Sequence, residues 1–126
     1  MKMQNVPRKR ILVVDDEPLV NDAIRLMLAV DGHEVVTAGD AKEALALFEP
    51  GKFDLVLTDY AMPEMKGDEL AVAIKARAPG QPVVMITAYA EMLKESNTPL
   101  DAVDGVVSKP FRFDDLRAAV RKATGG

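Results

Sequence analysis

Residues 54–67 read DLVLTDYAMPEMKG, and this stretch decides the fold that we expect for the chain. Its apolar run at residues 55–58 does not alternate with polar residues, which is typical of a strand that is covered on both faces. Asp59 follows the run directly. The stretch therefore predicts a buried strand that carries a carboxylate at its carboxyl end.

Four more apolar runs repeat this pattern on either side of the stretch. They are rich in Val, Ile, Leu and Thr, and helical patterns separate them. Such strand–helix alternation predicts an α/β fold, a parallel sheet with helices on both faces. Right-handed crossovers then bring the carboxyl ends of all strands to one edge of the sheet. The four runs lie at residues 11–14, 34–37, 83–87 and 105–107.

Residues typical of helix starts and ends agree with this alternation of strands and helices. Pro18 suits the first turn of a helix, where its missing N–H needs no partner, and Asp31-Gly32 suits the end of that helix. The fourth helix should last only about two turns, because Ser96 to Pro99 are helix breakers. The apolar stripe predicted for the first helix consists of Leu19, Ala23, Ile24, Met27 and Leu28.

Bulk composition narrows the function classes. The 126 residues suit one domain, which we expect at residues 9–123, with a leader at 1–8 and a tail at 124–126. The chain has no cysteine, which excludes disulfides and thiolate metal sites, and its net charge of -4 argues against direct nucleic-acid binding. No apolar run approaches the roughly 20 residues of a membrane span.

Charged and hydroxyl side chains follow the ends of four predicted strands. Asp15 and Asp16 follow the first strand, Asp59 follows the third, Thr87 ends the fourth, and Lys109 follows the fifth. Ligand sites of open parallel sheets lie at this edge. The five side chains are therefore expected to converge, although they are far apart in the sequence.

Three clustered carboxylates repel each other. A like-charge pair at about 4 Å costs on the order of 4 kcal/mol at an effective dielectric of 20, so the cluster either holds protons or binds a cation. Oxygen ligands without histidine or cysteine suit Mg²⁺. The alternative is that Asp15 and Asp16 merely cap the first helix, for which Asp16 is well placed. Asp59 from another strand and Lys109 opposite favour the magnesium hypothesis, and a carboxylate beside Mg²⁺ can attack phosphorus.

Four segments resemble the receiver domains of bacterial two-component response regulators, and the resemblance covers residues 9–122. It implies a flavodoxin-like (βα)5 doubly wound sheet of five parallel strands in the order 2-1-3-4-5. It also implies that the reaction depends on Mg²⁺ and phosphorylates Asp59. The segments are ILVVDDEP at residues 11–18, DLVLTDYAMPEMKG at 54–67, VVMITAYA at 83–90 and VVSKPF at 106–111.

The resemblance also implies roles for the converging residues. Asp15, Asp16, Asp59 and the backbone carbonyl of Ala61 would bind Mg²⁺. Thr87 would be the switch hydroxyl. Lys109 would bond the phosphoryl group and precede Pro110 with a cis peptide.

The same resemblance implies partners and setting. The phosphodonor would be a sensor histidine kinase, a phosphotransfer protein or a small acyl phosphate, and the setting would be cytoplasmic without membrane contact. The domain would catalyse only its own phosphorylation and dephosphorylation. A homodimer would form through the face of helix four, strand five and helix five, while the downstream target stays open.

Two positions depart from the usual receiver pattern. Val106 stands where many receivers carry a rotating Tyr or Phe, so Tyr89 either gates the site instead or is a partly exposed ring on a loop. Ala61 stands where many carry a polar side chain, and an alanine cannot orient water. His33, the only histidine, is expected to be exposed in a turn beside Gly32.

Two other functions stay open from the sequence. One is a small Mg²⁺-dependent aspartyl-phosphate phosphohydrolase of the haloacid-dehalogenase type, although such enzymes place the nucleophile after the first strand in a D-x-D pattern. The other is a fragment of a longer protein, such as a hybrid kinase or a regulator with an output domain. Turnover of a phosphomonoester would favour the enzyme, and stoichiometric labelling would favour the receiver.

Overall fold

A computed structural model describes residues 8–97 and 99–125. Five parallel strands form one sheet in the order β2-β1-β3-β4-β5, which confirms the predicted fold and strand order. Helices alternate with the strands throughout. The strands are β1 (Arg10–Val14), β2 (Glu34–Ala38), β3 (Leu55–Asp59), β4 (Val83–Thr87) and β5 (Gly105–Ser108). The helices are α1 (Pro18–Val30), α2 (Ala41–Leu47), α3 (Gly67–Arg77), α4 (Ala90–Glu95) and α5 (Phe113–Thr124).

The sheet separates two apolar layers, as the unalternating apolar runs predict. Every residue of β3 and β4 is buried, because these strands are central and helices cover both of their faces. In β1, Leu12 packs into the layer with α2 and α3. Ile11 and Val13 pack into the opposite layer with α1 and α5. The carboxyl ends of β1, β3 and β4 thus project from a rigid, fully packed centre.

Helix α1 presents a different stripe to the core than the sequence suggested. Its buried residues are Asn21, Ile24 and Leu28, whereas Leu19 is 82% exposed and the prediction for it was wrong. Leu19 precedes Ile24 by five residues, which places it about 140° away around a helix of 3.6 residues per turn. Near the start of α1, Asn21 faces the core instead.

His33 is buried rather than exposed, so the prediction for it was also wrong. Only 8% of its surface is accessible, and its Nδ1 accepts a hydrogen bond of 3.0 Å from the backbone N–H of Lys9. Burial lowers the pKa of the imidazole. The turn after α1 therefore folds against the segment that leads into β1, and the imidazole closes the space between them.

Helix α4 has six residues, close to the two turns predicted. Asn97, just beyond its end, has a φ of 55°, a left-handed conformation that asparagine tolerates and that stops the helix. The predicted breaker Thr98 lies outside the described residues. Across the described chain, none of the helices has both the length and the apolar character that a membrane span requires.

Gly67 begins α3 directly against the end of β3. Its N–H donates a hydrogen bond of 2.9 Å to the carbonyl of Tyr60. A Cβ at this position would overlap the backbone carbonyl oxygen of Asp59 and would lie 3.0 Å from Cα of Tyr60. Only glycine therefore lets α3 approach the carboxyl end of β3 this closely.

We expect Gly67→Ala to lower the free energy of unfolding by about 1–3 kcal/mol, because α3 must move away from Asp59 to make room for the methyl group. Urea denaturation measures the change. Gly80→Ala is the matched control, since a Cβ there meets nothing within 4 Å, and we expect a change within about 0.5 kcal/mol. Equal effects of the two substitutions would contradict the steric argument.

Candidate functional site

Three carboxylates meet at the carboxyl edge of the sheet. One oxygen atom from each of Asp15, Asp16 and Asp59 can be chosen so that all three lie within 4.8 Å of one another. Parallel pairing of β1 with β3, with Val14 opposite Thr58, brings Asp15 and Asp59 to the same level. Asp15 and Asp59 are buried, and Asp16 is exposed. The structure thus gathers the three acids that the sequence singled out.

Asp15 is held at each of its polar groups. Its Oδ1 accepts a hydrogen bond of 2.9 Å from the N–H of Glu17, and its Oδ2 accepts one of 3.0 Å from Nζ of Lys109. Its own N–H donates to the carbonyl of Ala38 at 3.1 Å. Glu17, not Asp16, occupies the N-cap position of α1, and no side chain caps the helix there. The alternative role of Asp16 as a helix cap is therefore wrong.

Lys109 supplies the positive charge of the site. Its Nζ lies 3.0 Å from Oδ2 of Asp15 and 3.5 Å from Oδ1 of Asp59. Burial lowers the pKa of the ammonium, but the hydrogen bond to Asp15 and the charge of Asp59 outweigh burial, so the pKa stands above its usual value. The peptide bond to Pro110 is cis, as predicted. One ammonium group thus bridges acids from two strands.

The surroundings of Asp59 disfavour its negative charge. Burial raises the pKa of its carboxyl group, and the charge of Asp15 raises it further. Lys109 and the N–H of Tyr60, which donates to Oδ1 at 2.8 Å, act in the opposite direction without cancelling the effect. Three acids against one ammonium leave excess negative charge, which a hard divalent cation with oxygen ligands would balance.

Thr87 ends β4 beside the acids, and its side chain is buried. Its Oγ1 accepts a hydrogen bond of 3.0 Å from the N–H of Tyr89, while its carbonyl accepts one of 2.9 Å from the N–H of Lys109. The Thr87 hydroxyl is thereby linked to the loop that starts α4. Tyr89 is 48% exposed, which agrees with a partly exposed ring on that loop, and its alternative role as a gate stays a prediction.

The remaining departures lie beside these groups. Val106 sits opposite Met85 on β5 and is 42% exposed, so an aliphatic side chain faces outward here. Ala61 is half-buried in the loop after β3, and its methyl group adds no polar atom to the site. The role of its carbonyl as a metal ligand stays a prediction.

Sequence reasoning missed Asn21, whose side chain lies behind the acids. Its Nδ2 donates hydrogen bonds to the carbonyls of Asp15 at 2.9 Å and Ala38 at 3.0 Å. The available signal was its spacing, because Asn21 precedes Ile24 by three residues and Leu28 by seven. A polar residue at that spacing lies on the apolar stripe of the helix.

Comparison with known proteins gives one consistent family. A family model described as the response regulator receiver domain matches residues 11–121. Among curated proteins, the DNA-binding response regulator MtrA of Mycolicibacterium smegmatis is 34% identical over 90% of this chain and 50% of its own length. The probable transcriptional regulatory protein TcrX of Mycobacterium tuberculosis is 32% identical over 89% of this chain and 50% of its own length. The chain spans about half the length of these curated relatives.

Solved structures agree with the family model. The response regulator protein TrrA of Thermotoga maritima, in complex with Mg²⁺–BeF, is 38% identical with a TM-score of 0.83 and covers 91% of this chain and 98% of its own. A CheY-like response regulator receiver domain protein of Methanospirillum hungatei is 35% identical with a TM-score of 0.85 and covers 94% and 95%. The likeness thus extends over nearly the whole fold.

We expect Asp59→Asn to stabilise the metal-free chain. Folding raises the pKa of the Asp59 carboxyl group above its usual 3.8. The folded chain therefore loses stability as the pH rises from 3.8 through the folded pKa, and at pH 7 the charge of Asp59 opposes folding. The amide keeps the size and removes the charge, which should add on the order of 1 kcal/mol. Thermal denaturation in EDTA at pH 7 measures this gain as a higher melting temperature.

Asp101→Asn provides the control for that comparison, because Asp101 is an exposed carboxylate in the loop before β5. Its removal should change stability by no more than about 0.5 kcal/mol. A melting temperature for Asp59→Asn at or below that of the unchanged chain would show that the cluster is not strained.

Proposed function

Because the chain belongs to the response regulator receiver domain family, we propose that it is the phosphoacceptor module of a two-component signalling protein and that Asp59 accepts the phosphoryl group. One observation carries the proposal. One oxygen each of Asp15, Asp16 and Asp59 lie within 4.8 Å of one another, and the ammonium of Lys109 bridges Asp15 and Asp59. Such an arrangement suits a cation and a phosphoryl group placed side by side.

The donor atoms fit Mg²⁺. We assign the carboxylates of Asp15, Asp16 and Asp59 and the backbone carbonyl of Ala61 as its ligands, all of them oxygens. The bound ion would supply positive charge that screens the incoming phosphoryl group. The structure of the related TrrA protein is a complex with Mg²⁺–BeF, which supports this assignment by analogy.

The proposed transfer uses the side chains of Asp59, Lys109 and Thr87. A carboxylate oxygen of Asp59 attacks phosphorus, the phosphorus–nitrogen bond of a phosphohistidine breaks, and the electron pair returns to the imidazole. Lys109, whose Nζ is 3.5 Å from Oδ1 of Asp59, pairs with one phosphoryl oxygen. The Thr87 hydroxyl donates to another.

Thr87 connects this chemistry to the surface. Its Oγ1 now accepts from the N–H of Tyr89, directly before α4. A hydroxyl that turns toward a phosphoryl oxygen must change this contact, so the loop before α4 would respond to phosphorylation. With Val106 on β5, the change does not involve an aromatic ring at that position.

The proposal includes the donor and the setting. The donor would be a sensor histidine kinase, a phosphotransfer protein or a small acyl phosphate, in the cytoplasm, and the domain would catalyse only its own phosphorylation and dephosphorylation. The matched relatives are about twice as long as this chain, so the downstream target stays open. Dimerisation through α4, β5 and α5 stays a prediction.

The phosphohydrolase alternative is not favoured. Its pattern requires a nucleophile after the first strand with a second acid two residues later, whereas Asp15 and Asp16 are adjacent and Asp59 ends β3. The family match covers residues 11–121, so membership of the receiver family accounts for the same acids.

Incubation with Mg²⁺ and acetyl phosphate should add one phosphoryl group to the chain, because the cluster holds one proposed phosphoacceptor, Asp59 at the end of β3. Intact-mass spectrometry measures the gain. Asp59→Asn should abolish it, and EDTA should prevent it in the unchanged chain. Labelling that persists in Asp59→Asn, or continuous release of phosphate without a labelled chain, would overturn the proposal.

Dephosphorylation should be slow in the unchanged chain, because the methyl group of Ala61 cannot orient an attacking water. We expect Ala61→Asn to shorten the half-life of the phosphorylated chain severalfold, as followed by decay of the phosphorylated mass. Ala61→Val is the matched control, since it adds bulk without a polar atom. The same half-life in Ala61→Asn as in the unchanged chain would count against this explanation.

A further inference from the structure

Asn21 joins three segments behind the acidic cluster. It lies on the buried face of α1 and is only 6% exposed. Its Nδ2 donates to the carbonyl of Asp15, in the loop after β1, and to the carbonyl of Ala38, the last residue of β2. One amide group thus ties α1, the acidic loop and the edge strand together.

The orientation of this amide is fixed by its partners. The two acceptors are both backbone carbonyls, at 2.9 and 3.0 Å from the same nitrogen. A flipped amide would place its oxygen against two carbonyl oxygens, which repel it. Nitrogen must therefore face Asp15 and Ala38, and the amide acts here as a double donor.

The other half of the amide has no such partner. Among the described residues, Oδ1 of Asn21 is buried and accepts no hydrogen bond. A buried unpaired acceptor costs stability, so an apolar side chain would suit this face of α1 better if packing were its only task. The position is therefore explained by the two bonds that the nitrogen donates.

The bond to the Asp15 carbonyl lies just beyond the last ladder hydrogen bond, which runs from the N–H of Asp15 to the carbonyl of Ala38. The pairing of β1 with β2 ends at Val14 opposite Ala38. The Asp15 carbonyl lies one residue beyond, and Nδ2 of Asn21 takes the place of a ladder donor. Because the peptide unit is planar, holding this carbonyl also fixes the N–H and the Cα of Asp16.

Asp16 depends on its backbone for its direction. Asp15 is held through its own carboxylate by Glu17 and Lys109. The Asp16 carboxylate, in contrast, is exposed and accepts no hydrogen bond from the described part of the chain, yet it lies in the cluster. Its position relative to Asp15 and Asp59 therefore depends on its backbone, which Asn21 holds at the carbonyl of Asp15 and the Asp15 carboxylate holds at the N–H of Glu17.

We infer that Asn21 is a positioning residue for the cation site, because its amide holds the Asp15–Asp16 peptide so that Asp16 projects toward Asp15 and Asp59. The inference rests on the proposed function, since it takes Asp16 as a cation ligand. Asn21 touches neither the cation nor the phosphoryl group, and its effect passes through the backbone. Loss of an outer residue that orients a ligand typically weakens metal binding by about 10- to 100-fold.

The test replaces Asn21 with leucine, which has nearly the same size and no donor. Titration calorimetry with Mg²⁺ alone should show a dissociation constant about tenfold higher than in the unchanged chain. With acetyl phosphate, the labelling rate at low Mg²⁺ should fall, and saturating Mg²⁺ should restore it. A purely structural role would not produce this rescue.

Ile24→Val is the matched control, because Ile24 lies on the same buried face and its truncation removes packing without removing a donor. It should lower the melting temperature and leave the Mg²⁺ affinity within about twofold. If Asn21→Leu does not fold, Asn21→Ala decides the question, since alanine suits a helix and also lacks the donor.

The experiments distinguish failure of the proposed function from failure of the positioning role of Asn21. If the unchanged chain neither binds Mg²⁺ nor accepts a phosphoryl group, the proposed function fails and the inference falls with it. If the unchanged chain does both and Asn21→Leu or Asn21→Ala binds Mg²⁺ equally well, the inference alone is overturned. Weakened binding equal to that of Ile24→Val would likewise overturn it, because it would reflect lost packing.

Discussion

Mutual repulsion among three carboxylates is the constraint on which the rest of this structure depends. Asp15, Asp16 and Asp59 would separate if their backbones were free, and the parallel sheet prevents this by fixing β1 beside β3. The packed layers on both faces of the sheet supply the free energy that holds the acids together. Lys109 relieves part of the repulsion from the opposite side. The negative charge that Lys109 does not neutralise allows the site to take up a cation.

The fold and the acids could be predicted because their signals are local. Unalternating apolar runs mark buried parallel strands, and the charged residues at their ends must then share an edge. Helix phase was harder to predict. The apolar side chain of Leu19 predicts a core position, but the start of α1 at Pro18 turns it outward. The glycine before His33 predicts a position at the surface, but the segment before β1 folds against the imidazole and buries it.

Asn21 shows a second limit of the sequence. In the sequence, this polar residue only interrupts the apolar stripe of α1. Its role depends on the two backbone carbonyls that accept its hydrogen bonds. Those carbonyls belong to segments that are distant in the chain and adjacent only after the sheet has formed. Gly67 is similar, because a glycine before a helix is common and its contact with β3 is visible only in three dimensions. Tertiary neighbours, not residue types, carry such information.

The carbonyl of Ala38 accepts two hydrogen bonds, one from the N–H of Asp15 and one from the side chain of Asn21. Strand β2 is an outer strand and contributes no side chain to the acidic cluster, yet its last carbonyl anchors the loop that does. Fraying of this outer strand would therefore disturb ion binding without touching a ligand. An edge strand usually tolerates change, but the end of β2 helps to hold the ion-binding loop in place.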